Sequence, residues 1–120
     1  MSGQRRDKDR LNDILEAMQR IITYTADLSY QQFLEDTKTQ DAVIRNLQVI
    51  GEAVKKLPTP LKRAHRHLPW KEMTGMRDKI VHEYFGINYD IVWTVCHQEL
   101  PAIVPEIEAL LSKQAGQAAI

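Results

Sequence analysis

Cysteine is almost missing from this chain. Cys96 stands alone among 120 residues, so no disulfide can close within it and nothing points to an oxidising compartment. Such a cysteine reads as a small buried hydrophobe on a helix. Glycine and proline are scarce, five of each, which argues against a turn-rich β-fold, and no stretch alternates apolar and polar residues as a half-buried strand does. No apolar run approaches the length of a membrane span. The first ten residues hold four basic and two acidic groups with no apolar stretch behind them, so a secretory signal is not expected and the cytoplasm is the consistent location. Neither sign of charge is in excess, since sixteen basic and sixteen acidic residues cancel. No global field therefore draws the chain to nucleic acid, and any such contact has to be local. A glycine-rich phosphate loop, a Ser-His-Asp or Cys-His arrangement and internal repeats are all missing too.

What is present is helical period. Leu11, Ile14, Leu15, Met18, Ile21 and Ile22 recur at threes and fours, predicting a first amphipathic helix from about Asp7 to Ala26. Ser29 can cap a short connector helix from Tyr30 to Asp36, with Phe33 and Leu34 as its apolar pair. Thr39 or Asp41 opens the next long helix, which carries Val43, Ile44, Leu47, Ile50, Val54 and Leu57 until Pro58 ends it. Gly51 inside it costs about 1 kcal/mol relative to alanine, so close packing of a neighbouring helix is expected there. Glu52 beside it either faces solvent or reaches the motif described below as an orienting carboxylate. Pro69 and Trp70 open a further helix with Met73, Met76, Ile80 and Tyr84 on its apolar side, and Gly86 is expected to stop it in the left-handed conformation. Asn88 caps the last helix, whose stripe runs from Ile91 to Leu111 and which Pro101 and Pro105 must kink or split. The fold class predicted is all-α: an up-and-down antiparallel bundle of four main helices plus a short connector, one domain over 1–120, with 1–6 and 113–120 as flexible tails. Met18, Trp70, Met73, Met76 and Trp93 are more large apolar groups than a small bundle readily hides, so some are expected at an oligomer interface.

The charges, although balanced, are segregated. Between Lys62 and Lys79 lie Lys62, Arg63, Arg66, Lys71, Arg77 and Lys79 against only Glu72 and Asp78, whereas Glu83 to Glu108 holds five acids and no lysine or arginine. Lys62, Arg63, Arg66 and Lys79 are candidates for phosphate contacts to RNA. His65 and His67 invite a metal reading, but two apart they point to different sides of a helix, and neither paired cysteines nor a nearby acid completes a ligand set. No metal and no cofactor is expected.

The useful chemistry gathers in Met76-Arg77-Asp78-Lys79-Ile80-Val81-His82-Glu83-Tyr84. At about 100° per residue, Arg77, Val81 and Tyr84 share one stripe, and Asp78 and His82 share the adjoining one. Arginine is always charged and offers a fork of donors suited to phosphate. Histidine gives or takes a proton near neutral pH. Asp78, four residues before His82, is placed to hydrogen-bond the imidazole and set its tautomer. The bland alternative is a solvated Arg77, a His82 favoured by the helix C-terminus and a Tyr84 that merely packs.

Arg77, four residues, His82, one residue, Tyr84 resembles the R-x4-H-x-Y signature of the HEPN superfamily in its HepT-like toxin branch. The context is similar as well: Leu47 to Leu57 ends the helix before the motif, and Ile87 to Trp93 opens the helix after it. The resemblance spans roughly Asp9 to Leu111. It implies a homodimer whose two motif helices flank a shared cleft, and a metal-independent endoribonuclease that is the toxin of a type VII toxin-antitoxin pair. Arg77 and His82 would be catalytic. The partner implied is a minimal nucleotidyltransferase antitoxin (MntA-like) that silences the toxin by moving AMP onto Tyr84. The alternative is a non-catalytic HEPN module that binds nucleotide or docks on a nucleotidyltransferase.

Overall fold

The computed structural model describes the backbone of residues 3–82 and 86–119, and the side chains of residues 7–76, 78 and 86–114. The described residues form only helices and their connections: α1 (Gly3–Thr25), α2 (Tyr30–Glu35), α3 (Thr37–Lys56), α4 (Thr59–Ala64), α5 (Trp70–His82), α6 (Tyr89–Thr94) and α7 (Leu100–Ala119). The expected all-α class is observed. The end segments read as tails carry helix from Gly3 and as far as Ala119.

The bundle is organised around α3. Its buried stripe, Val43, Ile44, Leu47, Ile50 and Val54, faces α1 on one side and α5 on the other. Helix α1 contributes Leu11, Ile14, Ala17, Met18 and Ile21, and also packs on α7. Arg10 near the start of α1 donates to the carbonyl of Lys56 at the end of α3 at 3.2 Å, so these two helices run antiparallel. Gly51 is buried on α3, as expected of a glycine at a close helix approach.

Caps set the boundaries. Ser29 and Gln32 form a reciprocal capping box at the start of α2, with bonds of 3.1 and 2.9 Å. Helix α3 begins at Thr37 rather than at Thr39 or Asp41, because Asp36 caps it: its carboxylate accepts from the Thr39 hydroxyl at 2.7 Å and from the Thr39 amide at 3.0 Å. The hydroxyl bond first, and the amide bond second, lower the Asp36 pKa. The Asp36 backbone N–H also closes α2 on the Phe33 carbonyl. Lys62 and Arg63 stand on the short helix α4, with Pro60 in its first turn, where a missing N–H costs nothing. Gly86 is not the left-handed stop expected, since among the described residues no glycine has a positive φ.

Proline splits the last helix one turn before the proline itself. Pro101 has no N–H, and its ring would clash with the carbonyl four residues back. The chain answers with a π-helical turn, Val95–Glu99, in which the Leu100 N–H reaches the Val95 carbonyl five residues back. Pro105 lies inside α7 without ending it. Phe33 ties the connector to this arm: fully buried, it meets Trp93 at 5.2 Å and Tyr89 edge-on at 6.0 Å.

The surplus of large apolar groups is mostly absorbed within one chain. Met18, Trp70 and Met73 are buried, and Met76 and Trp93 pack partly buried against the core. Sequence alone overstated the surplus because the covering residues are distant in the chain. Among the described residues, the large apolar side chains that do stand exposed are Tyr24, Leu34 and Ile91.

Cys96 is 1% exposed, and burial pushes its thiol up to about 12. Almost no thiolate then exists near neutral pH, and the thiolate is the reactive species. Iodoacetamide at about pH 8 should label the folded protein far more slowly than the protein in guanidinium. Equal rates by intact-mass analysis would contradict this packing.

Candidate active site

Helix α5 carries the motif. Trp70 fixes its start by donating its indole N–H to the carbonyls of Lys62 and His65 at 3.1 and 3.0 Å, closing α4 against α5. Met73 then turns into the core. The helical backbone continues through Arg77 and Asp78 to His82, so these three sit on one continuous element with the spacing read from the sequence. The side chains of Arg77, Lys79 and His82, and all of Tyr84, lie outside the described residues.

Asp78 is described, and its carboxylate receives Lys55 from the last turn of α3 at 2.7 Å. Both side chains are about two-fifths exposed. The pair joins the motif helix to α3 at its most chemically active turn. Nothing in the sequence announced Lys55, since 23 residues separate the partners.

The basic candidates divide in two. Lys62 is partly committed, because its ammonium donates at 3.3 Å to the Val54 carbonyl, which also accepts the Leu57 N–H that closes α3. Arg63 and Arg66 are exposed. Of the two histidines between and beside them, His67 reaches Glu106 on α7 at 3.2 Å. Burial first, then Lys113 and His67, lower the pKa of His65, so its ring stays neutral to lower pH than a free imidazole. The two rings meet edge to face at 6.1 Å. Among the described residues no three His, Cys, Asp or Glu gather as a metal site would need.

Three recesses surround α5 and α3. One of about 470 Å³, between α4 and α5, is lined by Lys62, Trp70, Lys71, Thr74, Gly75 and Asp78. Lys71, Thr74 and Gly75 were not singled out in the sequence, although Lys71 stands seven residues before Asp78 on the same helical stripe. An apolar cleft of about 200 Å³ on the other side of α5 includes Met73, Met76, Ile91 and Ile103. On the α1–α3 surface, Glu52 lies exposed in a polar groove with Arg10, Asp13 and Arg45. The spacing suits phosphodiester chemistry: an arginine and a histidine five residues apart on one helix, whose earlier turns line a lysine-bearing groove.

Comparison with known proteins agrees with this reading. The family described as ribonuclease HepT-like matches residues 14–110. A Methanocaldococcus jannaschii protein named "Putative RNase MJ0127" is 48% identical over 107 residues, covering 89% of this chain and 88% of that one. A Thermococcus cleftensis protein named as a probable ribonuclease HepT is 43% identical over 107 residues, covering 89% and 97%. No solved structure matches the chain significantly. No helix among the described residues is long and apolar enough to cross a membrane.

An exposed ion pair is worth about 0.2–1 kcal/mol. Asp78→Asn and Lys55→Ala should therefore each shift the Tm by no more than about 4 °C in thermal unfolding followed by circular dichroism. A loss of about 10 °C or more in either variant would show that the pair is a main support of the fold.

Proposed function

This chain belongs to the ribonuclease HepT-like family, and from that premise we propose that it is a metal-independent endoribonuclease, the toxin of a type VII toxin-antitoxin pair. The observation that carries the reading is the Arg77, His82, Tyr84 spacing inside the matched region, with Arg77 and His82 on one unbroken helix. In the reaction, the 2′-hydroxyl of RNA attacks the adjacent phosphorus and the bond to the 5′-oxygen breaks. His82 takes the proton from the 2′-hydroxyl, and a second imidazole, that of His82 in a homodimer partner, returns one to the leaving 5′-oxygen. The products are a 2′,3′-cyclic phosphate and a 5′-hydroxyl. Arg77 stabilises the charge that develops on the phosphorus oxygens. Two proton transfers and a guanidinium supply what a metal would otherwise supply. Asp78 acts as a positioning residue, held by Lys55 and aligned by the helical period with His82.

Purified protein should cut RNA equally well with and without EDTA and leave cyclic phosphate ends. Arg77→Ala and His82→Ala should each lose about 100-fold or more of the rate, as expected for loss of a charge-stabilising or acid-base group, while keeping their helical circular dichroism. Retained cleavage in His82→Ala would remove its proton-transfer role. RNA or nucleotide binding by wild type without any cleavage would favour a non-catalytic binding module.

Silencing follows from the same charges. A minimal nucleotidyltransferase partner would move AMP from ATP onto the Tyr84 phenol oxygen, which loses its proton as pyrophosphate leaves, placing a phosphate where it competes for Arg77 and an adenosine where RNA must lie. Co-expression with such a partner should add adenylyl mass to Tyr84 in peptide spectra, and Tyr84→Phe should stay toxic in its presence. Modification at Tyr24, Tyr30 or Tyr89 instead would overturn the assignment.

A further inference from the structure

Gly75 is a glycine that the fold does not require. It lies inside α5, where glycine weakens a helix relative to alanine. Yet a Cβ built there would meet no atom within 4 Å. Packing among the described residues gives no reason for the missing side chain, and a side chain there would fill open space. The space that Gly75 leaves open is the recess of about 470 Å³ between α4 and α5. Its lining on α5, Lys71, Thr74, Gly75 and Asp78, falls at spacings of three and four, which makes one continuous stripe. The next position on that stripe, four residues beyond Asp78, is His82. The opposite side of α5 faces the core through Met73.

The chemistry of the recess suits one occupant. Lys71 is exposed, and among the described residues no carboxylate pairs with it. Lys62 lines the other wall from α4, and Asp78, the carboxylate at the far end, already holds Lys55. Two lysines thus line the recess with one carboxylate, which a third lysine from outside it already holds, in a chain whose total charge is zero. The Trp70 wall is fixed, with its N–H shared between two carbonyls. The floor is largely apolar with Trp70 in its wall, and the lysines flank it, so a base or ribose can lie on the floor while its phosphate meets an ammonium.

Building on the ribonuclease reading, we propose that this groove is the track of the substrate strand: a single-stranded RNA lies over Gly75, its phosphates held by Lys71 and Lys62, and runs along the α5 stripe to His82. From Lys71 to His82 is eleven residues, about 16 Å of helix, so the track holds nucleotides on one side of the scissile bond and sets where the strand is cut.

The test uses a fluorescein-labelled single-stranded RNA of mixed sequence. Its binding is followed by anisotropy in the His82→Ala background, and its cleavage in the otherwise wild-type protein. Lys71→Glu is expected to weaken binding about tenfold, and to make the dependence of log affinity on log salt shallower by about 0.7 for the lost phosphate contact. Gly75→Leu, which fills the groove from a better helix former, should weaken binding at least as much, raise KM more than it lowers kcat, and unfold no earlier than wild type. Lys38→Glu, the same charge change about 25 Å away along α3, should bind as the parent does. Unchanged RNA affinity in Lys71→Glu overturns the track even if Gly75→Leu fails to fold. A Gly75→Leu protein that binds RNA normally but changes its sedimentation coefficient assigns the groove to a protein contact and also overturns it. If the unmodified wild type neither binds nor cuts RNA, the ribonuclease reading falls and the track with it. If wild type cuts and both variants match it, only the track falls.

Discussion

The setting of α5 about its own axis is the constraint on which the candidate site depends. A helix turns about 100° per residue, so a slip of one position would exchange Lys71 for Trp70 or Glu72 at the groove and carry Asp78 away from Lys55. Two kinds of contact prevent this. Burial of Trp70 and Met73 against the core supplies about 1.5–3 kcal/mol for each side chain, and the Lys55–Asp78 pair adds about 0.2–1 kcal/mol. Burial therefore decides that α5 docks at all. The directional contacts, the two bonds from the Trp70 indole and the ion pair, decide which stripe faces outward.

The features legible in the sequence were those whose causes are local. Apolar residues at threes and fours identified α1, α3 and α5, and Ser29 and Asn88 were readable caps because each bonds to amides within three residues of itself. Asp36 was missed although it is equally local, since Thr39 and Asp41 nearby are also good caps and only the bond geometry separates them. Pro101 announced a break, but the repair lies upstream, where the chain has freedom to slip into a π-helical turn. The motif was legible as a spacing. Its surroundings were not: Lys55 meets Asp78, and Phe33 meets Trp93, only because the bundle brings distant segments together. The same ignorance of partners made Met18, Trp70 and Met73 look surplus when the core in fact covers them.

Zero net charge shapes how such a protein would handle RNA. At physiological ionic strength the Debye length is about 8 Å, so a neutral protein has no long-range attraction to guide a polyanion, and affinity has to come from groups in near contact. The basic segment supplies them on two adjoining elements: Arg63 and Lys62 on α4, and Lys71 on α5, with Arg66 in the turn between. The described acids that follow, Asp90, Glu99, Glu106 and Glu108, lie on α6, the π-helical turn and α7, where Glu106 already reaches back to His67. A balance this local is also easily tipped. In the proposed silencing, one phosphate on Tyr84 would add its charge seven residues along the sequence from Arg77, on the stripe that the helical period gives to both. A strongly basic protein would need far more added charge for the same effect. If the proposed cationic track is what holds RNA, a neutral chain would be switched by a single group, a physical reason for the proposed toxin to keep its charges balanced overall and separated within the fold.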